Sequence, residues 1–79
     1  MSYMFEVYYK PPPDPRKEAD VTNRVARSGG RLSCREGDES GLRSICLTYE
    51  FDNLQRAEAA AQSLRELGEH VEGPVEYAS

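Results

Sequence analysis

Residues 42–51 alternate in polarity, and the alternation stops at one place. Ile45, Leu47, Tyr49 and Phe51 fall on one side of an extended chain; Ser44, Cys46, Thr48 and Glu50 fall on the other. Asp52 and Asn53 follow. From there Leu54, Ala57, Ala60, Ala61, Leu64 and Leu67 recur at the spacing of one helix face. A half-buried strand is therefore joined almost directly to a helix with an apolar stripe. That junction points to layered α+β structure.

The rest of the chain repeats the same vocabulary. Met4 to Lys10 alternates, with Phe5, Val7 and Tyr9 on one side and Met4, Glu6, Tyr8 and Lys10 on the other. Pro11, Pro12 and Pro13 end this strand, because proline donates nothing to a ladder. Asp14 followed by Pro15 reads as a helix cap and first helical residue. A helix from Pro15 to about Ser28 is predicted, with Ala19, Thr22, Val25 and Ala26 as its thin buried stripe and Val21 beside it. Gly29-Gly30 stops it, since glycine takes the left-handed cap conformation at least cost.

Arg31 to Glu36 alternates again, with Leu32 and Cys34 on one side. Gly37-Asp38-Glu39-Ser40-Gly41 reads as the turn of a hairpin into the strand that begins at Leu42. The pair Asp52 and Gln55 has capping-box spacing, and Gly68 ends the second helix. Val71, Gly73, Val75 and Tyr77 alternate in a last strand, where Gly73-Pro74 calls for an edge position or a bulge.

The resulting order is βαββαβ. It predicts one α+β domain over residues 1–79: a two-layer, ferredoxin-like sandwich with a four-stranded antiparallel sheet in the order 4-1-3-2 and both helices on one face. The covered face is expected to hold Phe5, Val7, Tyr9, Leu32, Cys34, Ile45, Leu47, Tyr49, Val71 and Val75. The open face is expected to hold Met4, Glu6, Tyr8, Ser44, Cys46, Thr48 and Glu50.

Composition narrows the function classes. A chain of 79 residues buries only about 60–65% of its unfolded surface, which leaves little room for a deep active site. No basic start leads into an apolar run near Met1, and no stretch has the length of a membrane span, so a cytoplasmic setting with reduced thiols is expected. The net charge of −4 speaks against nucleic acid as the main partner. That charge is unevenly spread. Residues 10–35 hold seven basic side chains against three acidic ones, and residues 36–79 hold ten acidic against three basic.

The sharper chemical readings lack residues. Cys34 and Cys46, expected on opposite faces, cannot bridge. Two cysteines and the single His70 do not supply the four ligands of a structural zinc site. No glycine-rich loop opens a helix, and the loops that do so carry Asp14 and Asp52, which repel phosphate. Neither a cofactor nor a catalytic set is expected. Base stacking on the open sheet would need aromatics on both central strands, and the third strand offers none. Pro12-Pro13-Asp14-Pro15 contains a P-x-x-P core, but a strand end and a helix start already account for it.

The expected function is that of an interaction or regulatory module working through its open face, with Met4, Tyr8, Cys46 and Thr48 as the contact surface. Its partner would be another protein or a second copy. A second reading is a small dimeric enzyme or small-ligand domain with a cleft near Tyr9, Tyr49, Cys34 and His70. A third is nucleic-acid contact through a basic first helix bearing Arg16, Lys17, Arg24 and Arg27.

Overall fold

The computed structural model describes residues 1–37 and 44–77. The expected hairpin turn beyond Gly37, and the start of the following strand at Leu42, lie outside the described residues. The elements run β1 (Ser2–Tyr9), α1 (Pro15–Arg27), β2 (Arg31–Glu36), β3 (Ile45–Phe51), α2 (Leu54–Glu66) and β4 (His70–Tyr77).

Both helices begin and end for reasons visible locally. The Asp14 side chain accepts from the backbone of Lys17 at 3.1 Å, and Pro15 opens α1. Asn53, and not Asp52, caps α2, accepting from the Arg56 backbone at 2.9 Å. The expected box between Asp52 and Gln55 is therefore not the cap. Asp52 instead faces Arg31 at 3.5 Å. The two C-termini are built alike. Gly29 and Gly68 both take φ of +90°, and the next residue, Gly30 or Glu69, donates to Val25 or Leu64 at 3.0 Å. This closes the last helical turn on its orphan carbonyls.

The four strands form one antiparallel sheet in the order β2-β3-β1-β4. The expected 4-1-3-2 runs through the same neighbours from the β4 edge. The central pair is regular, from Tyr3 opposite Phe51 to Tyr9 opposite Ile45. Each edge strand carries one irregularity. In β2, Leu32 faces Tyr49 but Cys34 faces Thr48, so Ser33 is an extra residue. In β4, Val75 faces Met4 but Glu72 faces Glu6, so Gly73 and Pro74 oppose Phe5 alone. These are β-bulges, and each reverses the alternation beyond it. Gly73 suits its bulge: its φ is +106°, and a Cβ there would meet the Met4 carbonyl oxygen at 3.0 Å.

One side of the sheet holds the core. Phe5, Val7, Leu47, Tyr49, Phe51 and Val71 pack with Val21 and Val25 of α1 and with Ala57, Ala60, Ala61 and Leu64 of α2. The alanines of α2 let its axis approach the sheet, and α2 lies mainly against β4, β1 and β3. The stripe of α1 is centred on Val21 and Val25, while Ala19 and Ala26 are exposed. The buried line of α1 thus runs through Val21 and Val25, and Ala19 and Ala26 fall outside it. Among the described residues no helix is long and apolar enough to cross a membrane.

Two residues expected under the helices are not there. The β2 bulge turns Cys34 to the open face, and the β4 bulge turns Val75 the same way. Leu32 keeps the covered side opposite Tyr49 but is 43% exposed, because it sits on an edge strand that α1 only partly overlies.

Candidate open-face interaction surface

Cross-strand register defines the uncovered side as three rungs, each running from β2 to β4. The first is Arg31, Glu50, Met4 and Val75. The second is Cys34, Thr48, Glu6 and Glu72. The third is Glu36, Cys46, Tyr8 and His70. Tyr77 extends the same side of β4 beyond Val75.

The expected contact residues Met4, Tyr8, Cys46 and Thr48 all stand on the two central strands of this face, each half-buried. The bulges add Cys34 and Val75, which strict alternation had assigned to the other side. Val75 is 54% exposed and Tyr77 46%. The face thus has an apolar end at Met4, Val75 and Tyr77, a second apolar point at Tyr8, and carboxylates on every rung.

The polar groups are locally engaged. Arg31 bridges Glu50 at 3.1 Å. The Cys46 thiol donates to Glu6 Oε2 at 3.6 Å. His70 Nε2 lies 3.0 Å from Glu72, and the His70 ring meets Tyr8 edge-on with centroids 5.8 Å apart. Burial, then the neighbouring Glu6 and Cys46, push the Tyr8 phenol well above its ordinary range. Burial, opposed in part by Thr48 and reinforced by the charge of Glu6, pushes the Cys46 thiol up. Both groups are therefore neutral at physiological pH, and neither is an activated nucleophile or base.

A different polar cluster lies at one end of the covered side. The β2 bulge turns Arg35 toward α1, where its guanidinium donates to both oxygens of Glu18, at 2.6 and 2.9 Å. The Tyr9 hydroxyl donates to Glu18 Oε2 and accepts from the Asp14 backbone at 2.9 Å. Lys17 pairs with Glu69 at 3.1 Å and lies 5.4 Å from the centre of the Tyr9 ring. Neither the sequence alternation nor any motif signals this cluster, because Arg35 reaches it only through the bulge.

The residues expected around a cleft are dispersed. Tyr49 is sealed in the core, 2.8 Å from the Thr22 hydroxyl. Tyr9 belongs to the Glu18 cluster. Cys34 and His70 sit on opposite edge strands. An open depression of about 350 Å³ is lined by Tyr8, Tyr9, Lys10, Ser44, His70 and Glu72, without Tyr49. Of the four basic-helix residues, Lys17 is paired with Glu69 and Arg24 with Asp20 at 2.9 Å. Arg16 is exposed, and Arg27 borders a shallow hollow with Arg56. No group of three or more His, Cys, Asp or Glu among the described residues is placed to hold a metal ion.

The chain matches no family model, no curated protein and no solved structure.

Proposed function

We propose that this chain is a protein-interaction or regulatory module, ferredoxin-like in its βαββαβ order, that acts in the cytoplasm through its open sheet face. The observation that carries the reading is the placement of Val75 and Tyr77 (54% and 46% exposed) beside half-buried Met4 on a sheet side that neither helix covers. Apolar side chains gathered on one uncovered face lose water contact when a partner covers them, and that is a source of binding energy. The neutral, unactivated state of Tyr8 and Cys46 favours contact over chemistry. Two unpaired thiols on one exposed face suit a reducing compartment.

The test is site-specific photo-crosslinking in cells. A crosslinking amino acid at Val75 is expected to yield a discrete adduct, and the same group at Ala59, on the exposed side of α2, is expected to yield none. Tyr8→Glu should suppress the Val75 adduct while leaving cooperative unfolding intact. Equal adducts from both positions, or adducts from Ala59 alone, would place the working surface elsewhere.

A further inference from the structure

We infer that the occupant of the open face is a cationic amphipathic helix of a partner protein. The inference rests on the proposed role of that face and adds the chemistry of what covers it. Three observations converge.

The first is charge. Glu50, Glu6, Glu72 and Glu36 distribute carboxylates over all three rungs. Among the described residues Arg31 is the single arginine or lysine on the three rungs, and Glu50 and Asp52 already hold it, while Lys10 borders the third rung beside Tyr8 and His70. Glu6 and Glu72 stand directly opposite each other across β1 and β4. Like charges in that position disfavour the sheet, and a guanidinium or ammonium laid between them removes the penalty. A second copy packed face to face would set these carboxylate rungs against each other, and an anionic polymer would be repelled outright.

The second is spacing. Met4 and Val75 occupy the first rung, Tyr8 the third, and Glu6 with Glu72 the rung between. Met4 and Tyr8 are four residues apart on β1, about 13 Å along the strand. A helix lying along β1 repeats its apolar stripe at i, i+4 and i+7, about 10 Å in all, with room at either side for lysine or arginine. The ends of its apolar stripe would meet the first and third rungs, and lysine or arginine flanking the middle of the stripe would reach Glu6 and Glu72 from the side.

The third is the state of the edges. Arg65 of α2 donates to the carbonyls of Val71 and Gly73 at 3.1 and 2.7 Å, which occupies the β4 rim. The β2 edge carries a bulge. Neither edge is a good template for an added strand, so a layer on the face is favoured over a strand at the rim.

The chain contains no tryptophan, so a tryptophan placed in a peptide reports binding without background. Two synthetic helical peptides with the same leucine stripe and one tryptophan, flanked in one by lysine and in the other by glutamate, serve as probes. Fluorescence anisotropy is expected to show binding of the lysine peptide alone, weakening about tenfold or more between about 50 mM and about 500 mM salt. The double variant Glu6→Gln/Glu72→Gln should weaken it by about fivefold, while Glu58→Gln/Glu66→Gln on the exposed side of α2 should leave it unchanged. Equal loss in both double variants would reduce the effect to net charge and overturn the inference. Equal binding of both peptides, abolished by Tyr8→Glu, would overturn the cationic partner while leaving the face as the docking surface. No binding of either peptide would overturn the helix as occupant, with the crosslinking at Val75 still deciding the role of the face. A concentration-dependent dimer broken by Tyr8→Glu would assign the face to a second copy and overturn the inference.

Discussion

Arg35 of β2 holds Glu18 of α1 with two parallel hydrogen bonds, at 2.6 and 2.9 Å, across the rim of the covered side. A bidentate guanidinium–carboxylate pair is the strong form of this contact, and both side chains are largely shielded from water. Removing the acid by Glu18→Gln should cost about 1–2 kcal/mol in urea unfolding at neutral pH. Arg35, then the Tyr9 hydroxyl, hold the Glu18 carboxyl below the usual carboxylate range against the opposing effect of burial. The unfolded chain therefore takes up this proton first as pH falls. The contribution is complete above the ordinary glutamate value of about 4.3 and is lost as pH drops through the lowered folded value. Wild-type and Glu18→Gln stabilities should converge as pH falls through that lowered folded value. A constant gap between them across the whole range would show that the pair does not supply this contribution.

Gly30 sits where the chain leaves α1 and passes over the core. A Cβ there would lie 2.4 Å from Phe51 Cζ and 2.6 Å from Val25 Cγ1, both fully buried. Both neighbours belong to the packed core, so Gly30→Ala should destabilise by about 1–3 kcal/mol through overpacking. Gly68 ends α2 with the left-handed geometry that Gly29 has in α1, and nothing lies within 4 Å of such a Cβ. Gly68→Ala should carry only the cost of its positive φ, about 1 kcal/mol. Equal destabilisation at the two sites, measured side by side, would remove the packing explanation.

Tyr49 is the largest fully buried side chain, and its hydroxyl finds one partner, Thr22 on α1, at 2.8 Å. Tyr49→Phe should cost about 1 kcal/mol, and adding Thr22→Val should recover part of it, because the unpaired hydroxyl goes with its partner. A double variant less stable than the sum of the singles would show that the two hydroxyls do not act as a pair.

Three phenols respond to alkali together. Burial is the leading cause that raises Tyr8, Tyr9 and Tyr49 above the ordinary phenol value. The folded state then holds these protons more tightly than the unfolded one. Their contribution to stability is full below about pH 10 and is lost as pH rises through the folded values. Ultraviolet titration should show these phenols ionising above that range, in step with loss of the folded circular dichroism signal. Ordinary titration of Tyr8, Tyr9 and Tyr49 with the fold retained would contradict this.

Cys34 and Cys46 share a face yet should differ in reactivity. Cys34 is exposed on an edge strand, whereas the Cys46 thiol is half-buried, raised by burial, and bonded to Glu6. Since the thiolate is the reacting form, a thiol reagent at neutral pH should label Cys34 at least about tenfold faster. The single variants Cys34→Ser and Cys46→Ser assign the two phases. Similar rates in both would mean that Glu6 and the burial of Cys46 do not control its reactivity.

Much of the architecture was legible in the residues. The switch from alternation to helical spacing around Asp52, the proline run after Tyr9 and the two glycine stops mark six elements in order, because each rests on interactions within a few residues. The regular centre of the sheet was legible for the same reason: Met4, Tyr8, Cys46 and Thr48 face outward as strict alternation requires. Gly73-Pro74 marked its bulge, but the consequence for Val75 needed the pairing with Met4. Ser33 gave no such mark. An extra residue there is decided by how β2 aligns with β3, and no local preference of serine encodes that.

The sequence by itself determined the order of the elements, the helix ends and the inward side of the two central strands, since periodicity and capping are local physics. Tertiary structure decided the composition of the edges. A single added residue in β2 moved Cys34 outward and Arg35 inward to Glu18, and the bulge in β4 brought Val75 to the open face. The physical reason is that a strand's side-chain period is two, so one residue of register reverses every side chain beyond it, and register is a property of two paired strands.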